Sequence, residues 1–222
     1  MKASLNTMMK NKLTTIFFVM ILVIPFLIFF TWNKVISGNQ PLQILGPVVE
    51  TDNGKEFHKI GDFEFIDQDS NRVSMVDAGS KILVANFFFT ACPSICPEMT
   101  NQLSRVQNSL LDEDDVVIFS FTVDPERDTP EILASYADNY DIDPKIWHLL
   151  TGDKKSIYMV ARNQFLLPVI EGDGGKEDFI HSELLVLVDQ EKQIRGFYDG
   201  TDEKEVDRLM NDIYRLKKQK VK

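Results

Sequence analysis

The chain has 222 residues, of which 24 are basic and 34 acidic, giving a net charge of −10 and a pI near 4.8. That acid excess argues against nucleic acid as a partner, since a nucleic-acid footprint is usually a basic face, and 44% hydrophobic content excludes wholesale disorder. Two cysteines are too few for a disulfide-built scaffold or a four-cysteine zinc site.

The first predicted element runs from Leu13 to Trp32, 20 residues without a charge, and Ile16 to Phe30 is apolar throughout. A helix of that length reaches roughly 30 Å, the thickness of a bilayer's hydrocarbon core. Pro25 inside it is tolerated where neighbours or waters satisfy the freed carbonyl. Lys2, Lys10 and Lys12 precede the run and Lys34 alone follows closely, which puts the N-terminus in the cytoplasm. A cleaved signal peptide has a shorter apolar region and ends at a small-x-small site, which Trp32-Asn33-Lys34 does not offer. The expected layout is a cytoplasmic segment 1–12, a single transmembrane helix 13–32, a linker 33–56 and one domain 57–222. That domain lies on the extracytoplasmic (periplasmic) side of the cytoplasmic, or inner, membrane. Residues 41–222 carry 20 bases against 34 acids, a net charge of −14.

Residues 41–56, with Pro41, Pro47 and Gly54 and no clear period, read as linker. Phe63 and Phe65 alternate with polar residues, Gln68 to Asn71 turns, and Val73 and Met75 return, which predicts a hairpin. Lys81 to Thr90 is a strand buried on both faces. Pro97 opens a helical pattern through Leu111, with Met99, Leu103, Val106 and Leu110 inward. Val116 to Val123 is a second buried strand, and Thr129-Pro130 starts a helix to about Tyr140. Ile146 to Leu150 is a third strand, followed by a helix to about Asn163. Beyond the glycine-rich acidic loop Glu171 to Asp178, Leu184 to Val188 and Ile194 to Tyr198 form a second hairpin. Asp202 and Glu205 have capping-box spacing ahead of a closing helix. Val206, Leu209, Met210, Ile213 and Leu216 fall on one face of it. The order hairpin, βαβαβα, hairpin and helix calls for an α/β sheet with helices on both faces. A cysteine pair directly after the first long strand sits where a thioredoxin-like fold keeps its chemistry.

That pair lies in Thr90-Ala91-Cys92-Pro93-Ser94-Ile95-Cys96-Pro97. Pro97 belongs in the first turn of its helix, where no backbone hydrogen bond is lost. Cys96 is then at or near the N-cap, and Cys92 is in the loop before it, biased extended by Pro93. Unpaired amides and the helix dipole favour a thiolate at Cys96. Three chemistries stay open. A structural disulfide closing so short a loop gains little; a redox pair has one residue more than Cys-x-x-Cys; two soft thiolate ligands for copper or zinc need a third donor from elsewhere. His58 precedes the first hairpin and reads as a surface residue. His148, beside Trp147, reads as a packed or hydrogen-bonded strand residue. His181 leads into the final hairpin, which in a thioredoxin-like fold passes beside the active-site loop, so it is the histidine best placed to meet both sulfurs.

The segments FFFTACPSICPEMT, VDPERDTPE, WHLLTG and HSELLVLVDQEKQIRGFYDG, in this order behind an N-terminal anchor, resemble the Sco/SenC family over roughly residues 57–215. The resemblance implies a thioredoxin-like fold with an N-terminal hairpin extension, and one copper, Cu(I) or Cu(II), bound through Cys92, Cys96 and His181. It also implies a metallochaperone that delivers copper to the binuclear copper A site of cytochrome c oxidase subunit II. The alternative it carries is a thiol–disulfide oxidoreductase, with Cys92 and Cys96 as a redox-active disulfide, that keeps the subunit's copper-site cysteines reduced. Other copper chaperones or thiol reductants are further partners on this reading. Asp124, in Val123-Asp124-Pro125, matches a family acid near the cysteines; its alternative is a turn or cap residue ahead of Pro125. Ser94 departs from the pattern, since members often carry an acid there; the ligand set is untouched, but any charge-based partner contact or thiol tuning at that position is not.

Overall fold

The computed structural model describes residue 17 and residues 19–30, 41–51, 54–110, 114–167 and 182–219, in two units, Met1–Pro41 and Leu42–Lys222. In the first unit residues 19–30 are helical and every one is exposed. Among the described residues no helix is long and apolar enough to cross a membrane; the rest of the expected anchor 13–32 lies outside them.

In the second unit β1 (Val48–Thr51) and β2 (Gly54–Phe57) pair antiparallel. They form a hairpin inside the stretch expected to be linker. Its side chains are almost all exposed, so no apolar alternation marks it in the sequence. β3 (Glu64–Ile66) and β4 (Arg72–Ser74) make the expected hairpin, with Phe65 and Val73 inward. Met75, expected to extend that return strand, instead opens a short helix, α1 (Met75–Ala78). Ser74 caps it and the Asp77 carboxylate accepts the Ser74 amide in return, a capping box that ends the strand.

The remaining elements are β5 (Ile82–Phe88), α2 (Ile95–Ser109), β6 (Val116–Thr122), α3 (Pro130–Asn139), β7 (Trp147–Leu150), α4 (Lys154–Met159), β8 (Leu184–Val188), β9 (Ile194–Asp199) and α5 (Glu203–Lys218). They build a five-stranded sheet of order β7-β6-β5-β8-β9. β5, β6 and β7 run parallel, β8 runs antiparallel to β5, and β9 runs antiparallel to β8. A βαβ unit followed by an antiparallel hairpin and a helix is the thioredoxin arrangement, here widened on one edge by α3 and β7.

β5 and β6 are buried on both faces, and their residues divide by parity. Leu83, Ala85, Phe87, Val117, Phe119 and Phe121 join the core that includes Phe63, Phe65 and Ile157. Ile82, Val84, Phe88, Val116 and Ile118 join Leu103, Leu133 and Leu209 on the other side. The helix after β7 does not run regularly to Asn163. After Met159 it widens into one π turn, Val160–Gln164, closed by the Phe165 amide bonding to the Val160 carbonyl at 3.0 Å. Phe165 thereby packs against Phe63, Phe87 and Phe121. At the start of β9 the partly buried Arg195 guanidinium pairs with Asp189 at 2.6 Å, donates to the carbonyls of Leu42 and Gln43, and reaches Gln219.

Candidate metal centre

Because β5 and β6 are parallel, the loops that leave them emerge side by side, and the Val123 amide donates to the Phe88 carbonyl at 2.8 Å. The first of these loops carries Cys92. α2 begins at Ile95, capped by Ser94 without a side-chain bond, and Pro97 falls in its first turn as the sequence predicts. Cys96 is the second helical residue, inside the cap rather than on it. Both cysteines are free and buried, 7% exposed for Cys92 and 3% for Cys96. The Cys96 amide points at Cys92 Sγ, 3.5 Å away.

The thiolate expected at Cys96 is favoured at Cys92 instead. Burial pushes the Cys96 thiol up to about 12, and neither the helix terminus nor its bond to Phe89 offsets that. For Cys92 burial also acts upward, but hydrogen bonds from the amides of Ser94 and Cys96 and from both their side chains outweigh it and hold the thiol below its ordinary value. The metal-free pair is therefore asymmetric, with a reactive Cys92 and a protonated Cys96 that donates to it.

The second loop, Val123 to Thr129, carries three acids, of which Glu126 is exposed. Asp124 pairs with Arg127 at 3.5 Å, and its carbonyl accepts the amides of Arg127 and Asp128, so it builds the turn. The residue that reaches the cysteine loop is Asp128, with no exposed surface. Its carboxylate accepts the Thr90 amide at 3.1 Å, the Thr90 hydroxyl at 2.5 Å and the Thr122 hydroxyl at 2.5 Å. In the sequence, an acid before Thr129-Pro130 looks like one more helix-start residue. Its partner Thr90 lies 38 positions away, a proximity only the fold reveals.

His58 bonds through Nε2 to the Gln164 carbonyl at 2.7 Å, and His148 through Nδ1 to the buried Asp67 at 3.1 Å, with its ring edge-on to Phe119. Both are engaged away from the cysteines. His181 and the loop 171–178 lie outside the described residues. Ser182, next in sequence, is buried, and its hydroxyl accepts the Leu184 amide. Since β8 is antiparallel to β5, residues 182–184 stand at the end of the sheet from which the Cys92 loop leaves. Among the described residues no group of three or more His, Cys, Asp or Glu side chains could hold a metal ion. Two adjacent, buried, unpaired sulfurs are nonetheless a soft donor pair that lacks only further ligands, which suits copper.

Fold and site together define a thioredoxin-fold protein with a Cys-x-x-x-Cys centre at the head of α2. The SCO1/SenC family model matches residues 51–218, and the chain belongs to that family. It is 31% identical over 157 residues to the SCO1 protein homolog of Bacillus subtilis, covering 70% of this chain and 81% of that one. It resembles the solved structure of BsSco, described as a Sco-family cytochrome c oxidase assembly protein with a disulfide switch. The TM-score is 0.65 at 29% identity, over 82% of this chain and all of that one. It also resembles Arabidopsis thaliana ScoI solved with copper bound, with a TM-score of 0.57 at 27% identity, over 70% of this chain and 98% of that one.

Proposed function

We propose that this chain is a membrane-anchored copper chaperone that binds one copper ion through Cys92, Cys96 and His181 and delivers it to the binuclear copper A site of cytochrome c oxidase subunit II. The observation that carries the reading is the buried, unpaired thiol pair at the end of β5, beside the place where the chain enters β8. His181 immediately precedes that point in the sequence. Two thiolates suit Cu(I), and an added imidazole gives a set that also holds Cu(II). The copper-bound relative and the oxidase-assembly description of another support the same cargo and destination. Asp124 enters this reading as the residue that builds the turn presenting Asp128. The span 13–32 supplies the anchor, with the lysines of the first 12 residues in the cytoplasm and the domain across the membrane.

The test is titration of the reduced full-length chain with Cu(II) and with Cu(I), following thiolate-to-copper charge-transfer absorption for the former. One ion per chain is expected, with Cu(II) affinity falling at least about tenfold in His181→Ala. A His181→Ala protein that holds Cu(II) as tightly as the parent refutes this ligand set.

The asymmetry of the thiols favours a second reading, a thiol–disulfide oxidoreductase acting on the oxidase subunit's copper-site cysteines. An activated Cys92 backed by a protonated Cys96 is what disulfide exchange requires. Sulfurs bound to copper cannot act as a dithiol, so the two roles are alternative states of one site. A Cys92–Cys96 pair inert to exchange in metal-free buffer removes this second reading.

A further inference from the structure

Asp128 is fully buried, and among the described residues its carboxylate meets no base, only three uncharged donors. A buried carboxylate is costly unless its oxygens are well bonded, so the arrangement is demanding for a role in packing alone. The three bonds do not do the same thing. Thr122 belongs to β6 and is held opposite Phe88 by the sheet ladder whether or not Asp128 is there. Thr90 has no ladder; its amide and its hydroxyl both end on Asp128. Two residues later comes Cys92, whose own amide has a single 3.3 Å bond to the Phe89 carbonyl.

The structure assigns Asp128 as the positioning residue of the cysteine loop. It clamps Thr90 from the neighbouring loop and so fixes how Cys92 Sγ is presented to Cys96 and to an incoming metal ion. Asp124 and Arg127 serve it indirectly: the Asp124 carbonyl accepts the Asp128 amide and folds the β6–α3 turn so that residue 128 points back at Thr90. The copper part of this inference rests on the proposed function, whereas the part concerning the two thiols does not.

The test uses the full-length chain as parent, Asp128→Asn, Thr90→Val, Thr90→Ser and Thr122→Val. In metal-free buffer each is equilibrated with reduced and oxidised glutathione. Forming the Cys92–Cys96 disulfide passes two electrons and two protons to oxidised glutathione, which becomes two molecules of the thiol. Asp128→Asn and Thr90→Val are expected to shift that equilibrium constant about tenfold or more, roughly 30 mV. Thr90→Ser restores the hydroxyl and stays within about threefold of the parent. Thr122→Val lowers the melting temperature, as loss of a buried bond should, but also stays within about threefold in the equilibrium. Cu(II) affinity, read separately, falls about 10- to 100-fold in the first two, as is usual when the support of a metal ligand is lost.

Asp128→Asn and Thr90→Val equilibria within threefold of the parent would overturn the assignment. So would a Thr122→Val shift as large as that of Thr90→Val, which would make the carboxylate a packing group. Should Asp128→Asn fail to fold, Thr90→Val against Thr122→Val decides. A parent that binds no copper, alongside a shifted disulfide equilibrium in Thr90→Val, would sink the proposed function and leave this inference standing.

Discussion

The two faces of the central sheet are built from the same strands and differ in chemistry. On one side Phe63, Phe65, Phe87, Phe121 and Phe165 form a ring cluster with centroids 4.9 to 6.5 Å apart. On the other, buried polar groups are bonded in short chains. The Trp147 indole donates to Ser120, Ser120 donates to Asn86, Thr100 bonds Tyr136, and Tyr198 donates to Asp212. The thiols lie on this second side, and Thr100, which bonds Tyr136, also donates to the Cys96 carbonyl. Apolar packing supplies stability with little directional control, whereas bonded polar groups fix orientation because each lost partner strands another. The site sits among these bonded polar groups.

The largest expected effect comes from the aromatic face. Phe121 is fully buried against five other rings, so Phe121→Ala should cost about 3–5 kcal/mol in denaturant unfolding. Under native conditions the alkylation rate of Cys92 should not change; a changed rate would show that the two faces are coupled. Ser120→Ala strands the Trp147 N–H and the Asn86 oxygen together and should cost about 2 kcal/mol. A cost near zero would mean that the polar chain contributes no more than packing.

The smallest effect at ordinary pH concerns the thiols themselves. In metal-free protein an alkylating reagent should take Cys92 well before Cys96, located by peptide mapping. Folding holds on the Cys96 proton up to about 12, against 9.0 for the unreacted reference thiol. The stability this contributes is therefore present below pH 9 and lost as pH climbs from 9 towards 12, where the unfolded chain binds fewer protons. Cys92, held below 9.0, acts in the opposite sense, so Cys96→Ser isolates the effect. The loss between pH 9 and 10 should disappear in that variant, whereas a loss above pH 10 remains because burial also pushes up the Tyr136 and Tyr198 phenols; an undiminished loss between pH 9 and 10 would assign it elsewhere.

Most of the sheet was legible in the sequence because burial writes itself as pattern. β5 and β6 are apolar on both faces, and α5 has its inward stripe at Val206, Leu209, Ile213 and Leu216. β1–β2 buries almost nothing and left no period to read. α1 did leave a sign, Ser74 followed three residues later by Asp77, which the apolar alternation ending at Met75 obscured. The π turn after Met159 depends on where Phe165 must pack, a tertiary demand. In the site, the location of the cysteines was legible, while their asymmetry was not. The dipole argument for Cys96 is local, and the desolvation that defeats it comes from the sheet and helices packed around the sulfur. Asp128 was hidden for a related reason, since a clamp between two loops exists only once two parallel strands have aligned them.

Arg195 has a consequence for reach. It gathers Leu42, Gln43, Asp189 and Gln219 where β9 begins, and β9 begins at the end of the sheet away from Cys92. Arg195 thus ties residues 42 and 43 to the sheet at the end opposite the cysteine loop, so strain entering through them reaches the strands before it reaches the sulfurs.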